Sequence, residues 1–197
     1  MNQFKIISDE EDSFWILLIW NEEVWKRVYK SLFLKNLNSL FSVRSFEEAE
    51  NLFLEIELKV AKNFAIRSLS KKGAFSHELL QKMRERGISE ESSKEVLSFC
   101  QKMDFLNDPK RLELQMQSAL KRGRGPLYVE AKNRRSGIVS SVPRDIGAEK
   151  NAISQVVKKK KKSQASLSFK EKSALIRFLL GRGFQRDLIE QVLLSDL

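Results

Sequence analysis

The chain has 197 residues, with 36 basic and 26 acidic side chains and a formal net charge of +10. That length suits one or two domains, or a short repeat array, with a buried core. No run of about 18 apolar residues is present to form a membrane-crossing helix, and a single cysteine and a single histidine leave no disulfide, zinc site, Ser-His-Asp triad or Cys-His dyad to assemble.

Residues 4–7 and 13–19 favour strand, through Phe4, Ile6, Ile7 and the apolar run Phe14 to Ile19. That run is too short to span a bilayer. It also follows Asp9, Glu10, Glu11 and Asp12, whereas a secretory signal opens with positive charge. A cytoplasmic protein is expected. Asn21-Glu22-Glu23 is a polar break, and Val24, Lys26, Val28, Lys30 and Leu32 alternate imperfectly after it. Residues 1–44 are therefore expected to form a small antiparallel sheet or hairpin. Trp15, Trp20 and Trp25 are assigned to core packing, because the segment is acidic and no arginine flanks the first two.

Ser45-Phe46-Glu47-Glu48 has capping-box spacing and opens a helix. Ala49, Leu52, Phe53, Ile56, Val60, Phe64 and Leu69 form one stripe, and no Gly or Pro interrupts Phe46 to Lys72. One long helix, or two abutting ones, should end at Gly73. Ser76 is expected to cap a helix carrying Leu79, Leu80 and Met83; Ser89 caps the next, with Val96, Leu97, Cys100 and Met103 inside. Asp108-Pro109 reads as an N-cap with proline at N1, ahead of Leu112, Met116, Ala119 and Leu120.

Lys121 to Gly125 ends that helix and Pro126 starts another. The glycines there are not read as a phosphate loop, since no strand precedes them and no Gly-Lys-Ser/Thr follows. A short helix is expected around Lys150 to Val157, then a flexible basic linker from Lys158. Ser168-Phe169-Lys170-Glu171 is a second capping box, followed by Leu175 to Leu180 and a last helix with Leu188, Ile189, Val192 and Leu193.

A short unit recurs along this array: a long residue four places before Gly, then an apolar plug. It appears as Met83 to Ile88, Asn133 to Ile138 and Leu179 to Phe184. Val96 and Leu97 lie nine and ten residues beyond Gly87, Val192 and Leu193 lie equally far beyond Gly183, and Ile146 holds the first of these offsets beyond Gly137. The physical reading is a helix stopped by a left-handed glycine, with a further helix packing back. The fold class is therefore mainly α: tandem three-helix modules in an elongated curved array after a small β-containing segment. The expected boundaries are 1–44, 45–106 for the first module, 107–162 for the second with its basic tail, and 163–197 for a shorter third.

Charge follows this division. Residues 1–54 carry six basic against nine acidic residues, a net −3, so the remainder carries +13. Residues 121–162 alone hold thirteen basic and three acidic residues, a net +10. Concentration of this kind points to an acidic or nucleic-acid partner. The candidate contact residues are Arg67, Lys71, Lys72, Arg84 and Arg86, then Lys121, Arg122, Arg124, Lys132, Arg134 and Arg135. Lys158, Lys159, Lys160, Lys161, Lys162 and Arg182 complete the set. The acids explain themselves as caps and first-turn residues, so a binder without catalysis, metal or cofactor is expected.

At these residues the sequence resembles the RecX family, regulators of the bacterial recombinase RecA. The likeness runs through Ala65 to Leu69, Ser76 to Leu80, Lys82 to Ile88, Asp104 to Asp108, Arg124-Gly125-Pro126 and Ser136-Gly137-Ile138, then Leu175 to Leu193 with Arg182-Gly183-Phe184. Asn133 stands where the family's pattern has leucine, Ser136 where it has lysine, and Asn107 where it has the first of two paired acids. The resemblance implies a monomer that lies in the groove of a RecA filament on single-stranded DNA. Such a protein limits filament growth, ATP hydrolysis and strand exchange in homologous recombination, DNA repair and the SOS response. The same charge also suits a sequence-independent DNA-binding protein of helix-turn-helix-like modules, or an adaptor for an acidic protein.

Overall fold

The computed structural model describes residues 4–138, 141–160 and 168–195, and of Lys72 and Ser195 the backbone only. The chain is mainly helical, with one three-stranded sheet near its N-terminus. It divides into two compact units, residues 1–107 and 108–197.

In the first unit, strands β1 (Phe4–Ser8), β2 (Trp15–Trp20) and β3 (Glu23–Tyr29) pair antiparallel in that order. Asn21 and Glu22 both take positive φ, 48° and 72°, which makes the two-residue primed turn that suits strand twist. Ile16 and Leu18 point into the core beside Phe4 and Val28, as alternation requires. Trp25 lies 5.3 Å from Phe53 and 5.4 Å from Phe46, ring to ring, so its packing role holds. The alternation expected through Leu32 stops at Tyr29. Helix α1 (Lys30–Phe33) and two 3₁₀ turns follow, because Phe33, Leu37 and Leu40, all fully buried, recur at helical rather than strand spacing.

Helix α2 (Phe46–Lys72) is continuous over 27 residues. Ser45 Oγ accepts the Glu48 N–H at 3.1 Å, and the Glu48 carboxylate reaches back to the Arg44 N–H at 2.7 Å. Its buried face joins the sheet, α3 (Ser76–Arg84) and α4 (Glu90–Lys102) in one core. Two expectations change here. Helix α3 begins one residue early, with Phe75 at the N-cap and its N–H bonded to Glu78 at 3.0 Å, so Ser76 is the first helical residue. Met103, expected inside, is 53% exposed, because the chain leaves α4 there and turns through Asp104 at φ 54°.

The recurring glycine unit has one geometry at all three places. Gly87, Gly137 and Gly183 have φ of 74°, 73° and 85°. In each copy the N–H after the glycine donates to the carbonyl five residues back: Ile88 to Met83, Ile138 to Asn133, and Phe184 to Leu179. These are Schellman ends, and the residue four before the glycine is the one whose carbonyl accepts and whose side chain is buried. The downstream match fails at one point: Ile146 is 60% exposed and, among the described residues, belongs to no core cluster.

The second unit contains α5 (Asp108–Lys121), α6 (Pro126–Arg135), α7 (Ile146–Lys160), α8 (Phe169–Gly181) and α9 (Arg186–Ser195). The flexible linker expected from Lys158 is corrected as far as Lys160, since Lys158, Lys159 and Lys160 form the last described turn of α7; Lys161 and Lys162 lie outside the described residues. Lysine is a good helix former, and cations suit a C-terminal turn. Helix α7, expected to close the second module, instead buries Ala152, Ile153 and Val157 in the core of α8 and α9, with Leu179, Phe184 and Ile189.

Asn133 is 2% exposed, and its side-chain amide exchanges two hydrogen bonds with that of Gln115, at 2.9 and 3.2 Å. A leucine position has thus become half of an amide pair between α5 and α6. Asn133→Leu alone strands the half-buried Gln115 amide and should cost about 1–2 kcal/mol. Gln115→Leu together with Asn133→Leu removes both partners and should recover that loss in urea unfolding. A double variant weaker than the single one would contradict this account.

Candidate functional site

In the first unit, Arg67, Lys71 and Arg84 are exposed, while the Lys72 side chain lies outside the described residues. Arg86 is differently employed. Its Nη1 donates to the Lys82 carbonyl at 2.8 Å, and its guanidinium lies 4.9 Å from the Phe64 ring centre and 5.7 Å from that of Tyr29. It holds the end of α3 against α2 and the sheet, as an amphipathic cation does.

The second unit sorts its cations into three kinds. The first are committed internally. Arg144 makes a two-pronged contact with Glu149, at 3.0 and 2.7 Å, and Glu149 is fully buried. Donating these hydrogen bonds to the Glu149 carboxylate pushes the Arg144 guanidinium still further up from its ordinary range. Arg124 lies 4.2 Å over the Tyr128 ring. Arg182 donates from Nη1 to the carbonyls of Arg122 and Gly123, at 3.0 and 3.4 Å, and stands 4.7 Å over Phe178.

The second kind sits on α6. Lys132, Arg134 and Arg135 are exposed in its last turns and have no acidic partner among the described residues. The Schellman turn at Gly137 ends the helix just beyond them. A helix C-terminus offsets about half a charge, so most of the field of these three cations is uncompensated by their own helix. Lys121 and Arg122, at the end of α5, are also exposed and, among the described residues, without an acidic partner. The third kind is the α7 terminus, where Lys158 and Lys159 reach solvent and Lys160 Nζ lies 4.1 Å over Phe178.

Two aromatic supports, Tyr128 and Phe178, are missed by the sequence reading. Each stands four residues from the arginine it carries, a spacing that is legible. Two glycine segments also interlock. The Gly125 N–H donates to the Arg182 carbonyl at 2.8 Å, and the Leu127 N–H, at the start of α6, donates to that of Gly183 at 3.1 Å. Gly123 to Pro126 is therefore a joint with Gly181 to Phe184, in addition to being a helix end. Among the described residues, no helix is long and apolar enough to cross a membrane, and no group of three or more His, Cys, Asp and Glu could hold a metal.

Residues 148–193 match the family model described as "RecX, third three-helix domain", which takes in α7 with α8 and α9. The chain is 34% identical over 147 residues to a regulatory protein RecX from Caldanaerobacter subterraneus subsp. tengcongensis, covering 70% of this chain and 71% of that one. The chain belongs to the RecX family. A regulatory protein RecX from Legionella pneumophila is 28% identical over 133 residues and is covered to 89%. The fold agrees with the crystal structure of RecX from Lactobacillus salivarius at a TM-score of 0.62 and 18% identity, over 71% of this chain and 96% of that one. A second RecX crystal structure aligns over 98% of both chains at a TM-score of 0.58 and 11% identity. Helices that end in left-handed glycines and carry a basic surface are how this RecX-family chain builds that fold.

Proposed function

We propose that this chain is a non-catalytic, monomeric, cytoplasmic regulator of a RecA-type recombinase. It binds the recombinase filament on single-stranded DNA along its groove and limits filament growth, ATP hydrolysis and strand exchange. The main support is the set of exposed cations without acidic partners among the described residues on α6, Lys132, Arg134 and Arg135, in a chain whose relatives are named regulatory proteins. Long basic side chains on a well-anchored helix can meet a phosphate backbone or carboxylates with little cost in reorganisation. The binding should therefore weaken steeply with salt.

The deciding experiment titrates the protein onto recombinase–DNA filaments and follows the recombinase ATPase. Arg134→Ala with Arg135→Ala should weaken filament binding by about tenfold or more, as removal of two interfacial charges implies, while the helical circular dichroism stays unchanged. Unaltered binding removes α6 from the interface. Binding to naked single strands as tight as to filaments, at physiological salt, would instead favour a general DNA-binding protein.

A further inference from the structure

Within residues 108–197 lies a cleft of about 240 Å³ between the end of α5, one face of α7, and the end of α8. Among the described residues its charged lining is Lys121, Arg122, Lys159, Lys160 and Arg182, with no acidic residue. Ordinary compensation of helix termini does not account for five cations. Even three helix C-termini would supply no more than about −1.5 elementary charges in all, leaving a surplus of roughly 3.5.

Two of these cations are already held in place. Arg182 is fixed by the Arg122 and Gly123 carbonyls, and it shares the Phe178 ring with Lys160. The carbonyls that would repel an anion are therefore already bonded. Leu120, Ala152 and Val156 add apolar lining, and Gly123, at φ +65°, leaves room where Val156 would meet any side chain. Preorganised cations around an apolar wall suit an anion that carries its own apolar body.

We propose that this cleft seats a phosphate of a single-stranded nucleic acid, with the neighbouring sugar or base against Phe178 and Val156. Arg122 gives phosphate the forked donors it accepts best, Arg182 adds the charge of a guanidinium already fixed in place, and an aromatic ring supplies the stacking that single strands use. The inference rests on the filament-binding reading and narrows it: the strand itself, not only the recombinase, is contacted.

The test uses the full chain without recombinase and a labelled oligothymidylate, titrated over a range of salt. Lys121→Ala/Lys159→Ala/Lys160→Ala removes lysine side chains at the mouth of the cleft. It should weaken binding about tenfold and lower the salt slope by about 0.7 for each phosphate no longer neutralised. Lys59→Ala/Lys102→Ala/Lys170→Ala makes the same charge change elsewhere and should have a several-fold smaller effect. Equal effects of the two triples would overturn the cleft, leaving only general attraction. Polyglutamate competing as well as oligothymidylate would assign the cleft to an acidic protein and overturn the proposal. Displacement of the strand by a free nucleoside triphosphate at comparable concentration would overturn the strand as occupant. Filament binding on the same variants separates the two readings. If the parent chain ignores filaments but the oligothymidylate pattern holds, the regulator reading fails and the cleft stands. If filaments bind and the cleft triple changes nothing on oligothymidylate, only the cleft fails.

Discussion

Gly183→Ala should destabilise residues 108–197 by about 4 kcal/mol, through left-handed backbone strain and overpacking together. Gly183 sits at φ +85°, and a Cβ built on it falls onto the backbone nitrogen of Tyr128. The neighbour cannot swing away, because it is main chain in the first turn of α6. The Gly183 carbonyl meanwhile accepts the Leu127 N–H, and a Cβ on Gly125 would fall onto that same carbonyl oxygen. The two segments approach this closely because both lack side chains. Gly181, two residues earlier, is the internal control. Among the described residues nothing lies within 4 Å of a Cβ added there, and it is in the last turn of α8. Gly181→Ala should be neutral or stabilising by up to about 1 kcal/mol, as in any helix. Urea unfolding of both variants measures the contrast. A cost below about 1 kcal/mol for Gly183→Ala would mean the joint relaxes easily.

The same glycines show what a sequence displays and what it hides. A long residue four places before Gly and an apolar residue after it follow from local geometry, so Gly87, Gly137 and Gly183 are recognisable as helix ends. What each packs against is tertiary: the Arg27 carbonyl and Trp15 for Gly87, Tyr128 for Gly183. Period alone misassigns residues 30–40, where Phe33, Leu37 and Leu40 answer to a helical spacing hidden within a run of apolar residues. Charge behaves likewise. The concentration of cations after Lys121 is legible, but their commitments are not. Arg144 is spent on Glu149, Arg86 on two aromatic rings, and Arg182 on two carbonyls, each partner being set by the fold. The expected surface thus separates into cations that hold the chain together and exposed cations without such a commitment among the described residues. The resemblance finds α8 and α9 and their glycine. It does not place α7, whose apolar face is short and runs into lysines that look like a linker.

Glu57→Ala is expected to be nearly as damaging in the first unit. Glu57 lies mid-way along α2, 3% exposed, among acids that look alike in sequence. It accepts three hydrogen bonds: from the Ser89 N–H at 3.1 Å, the Ser89 hydroxyl at 2.5 Å and the Ser92 hydroxyl at 2.5 Å. Ser89 is the N-cap of α4, and its oxygen in turn accepts the Ser92 N–H at 3.3 Å. One carboxylate thereby fastens α2 to the start of α4, where the helix dipole favours negative charge. Alanine would leave three buried or half-buried donors without an acceptor and open a small void. Donors orphaned away from water cost about 1–3 kcal/mol each and are not additive, so a total of about 3–4 kcal/mol is expected. Glu57→Gln keeps one acceptor oxygen in nearly the same shape and should cost about half as much. A Ser92→Ala background removes one of the three donors, so Glu57→Ala made there should cost about 1 kcal/mol less than in the parent chain. Amide exchange offers a local reading of the same event, with the Ser89 and Ser92 N–H groups losing protection ahead of the helix interior. Identical costs in the two backgrounds would show that the carboxylate acts on something other than these hydroxyls, and the fastening of α2 to α4 would need another source.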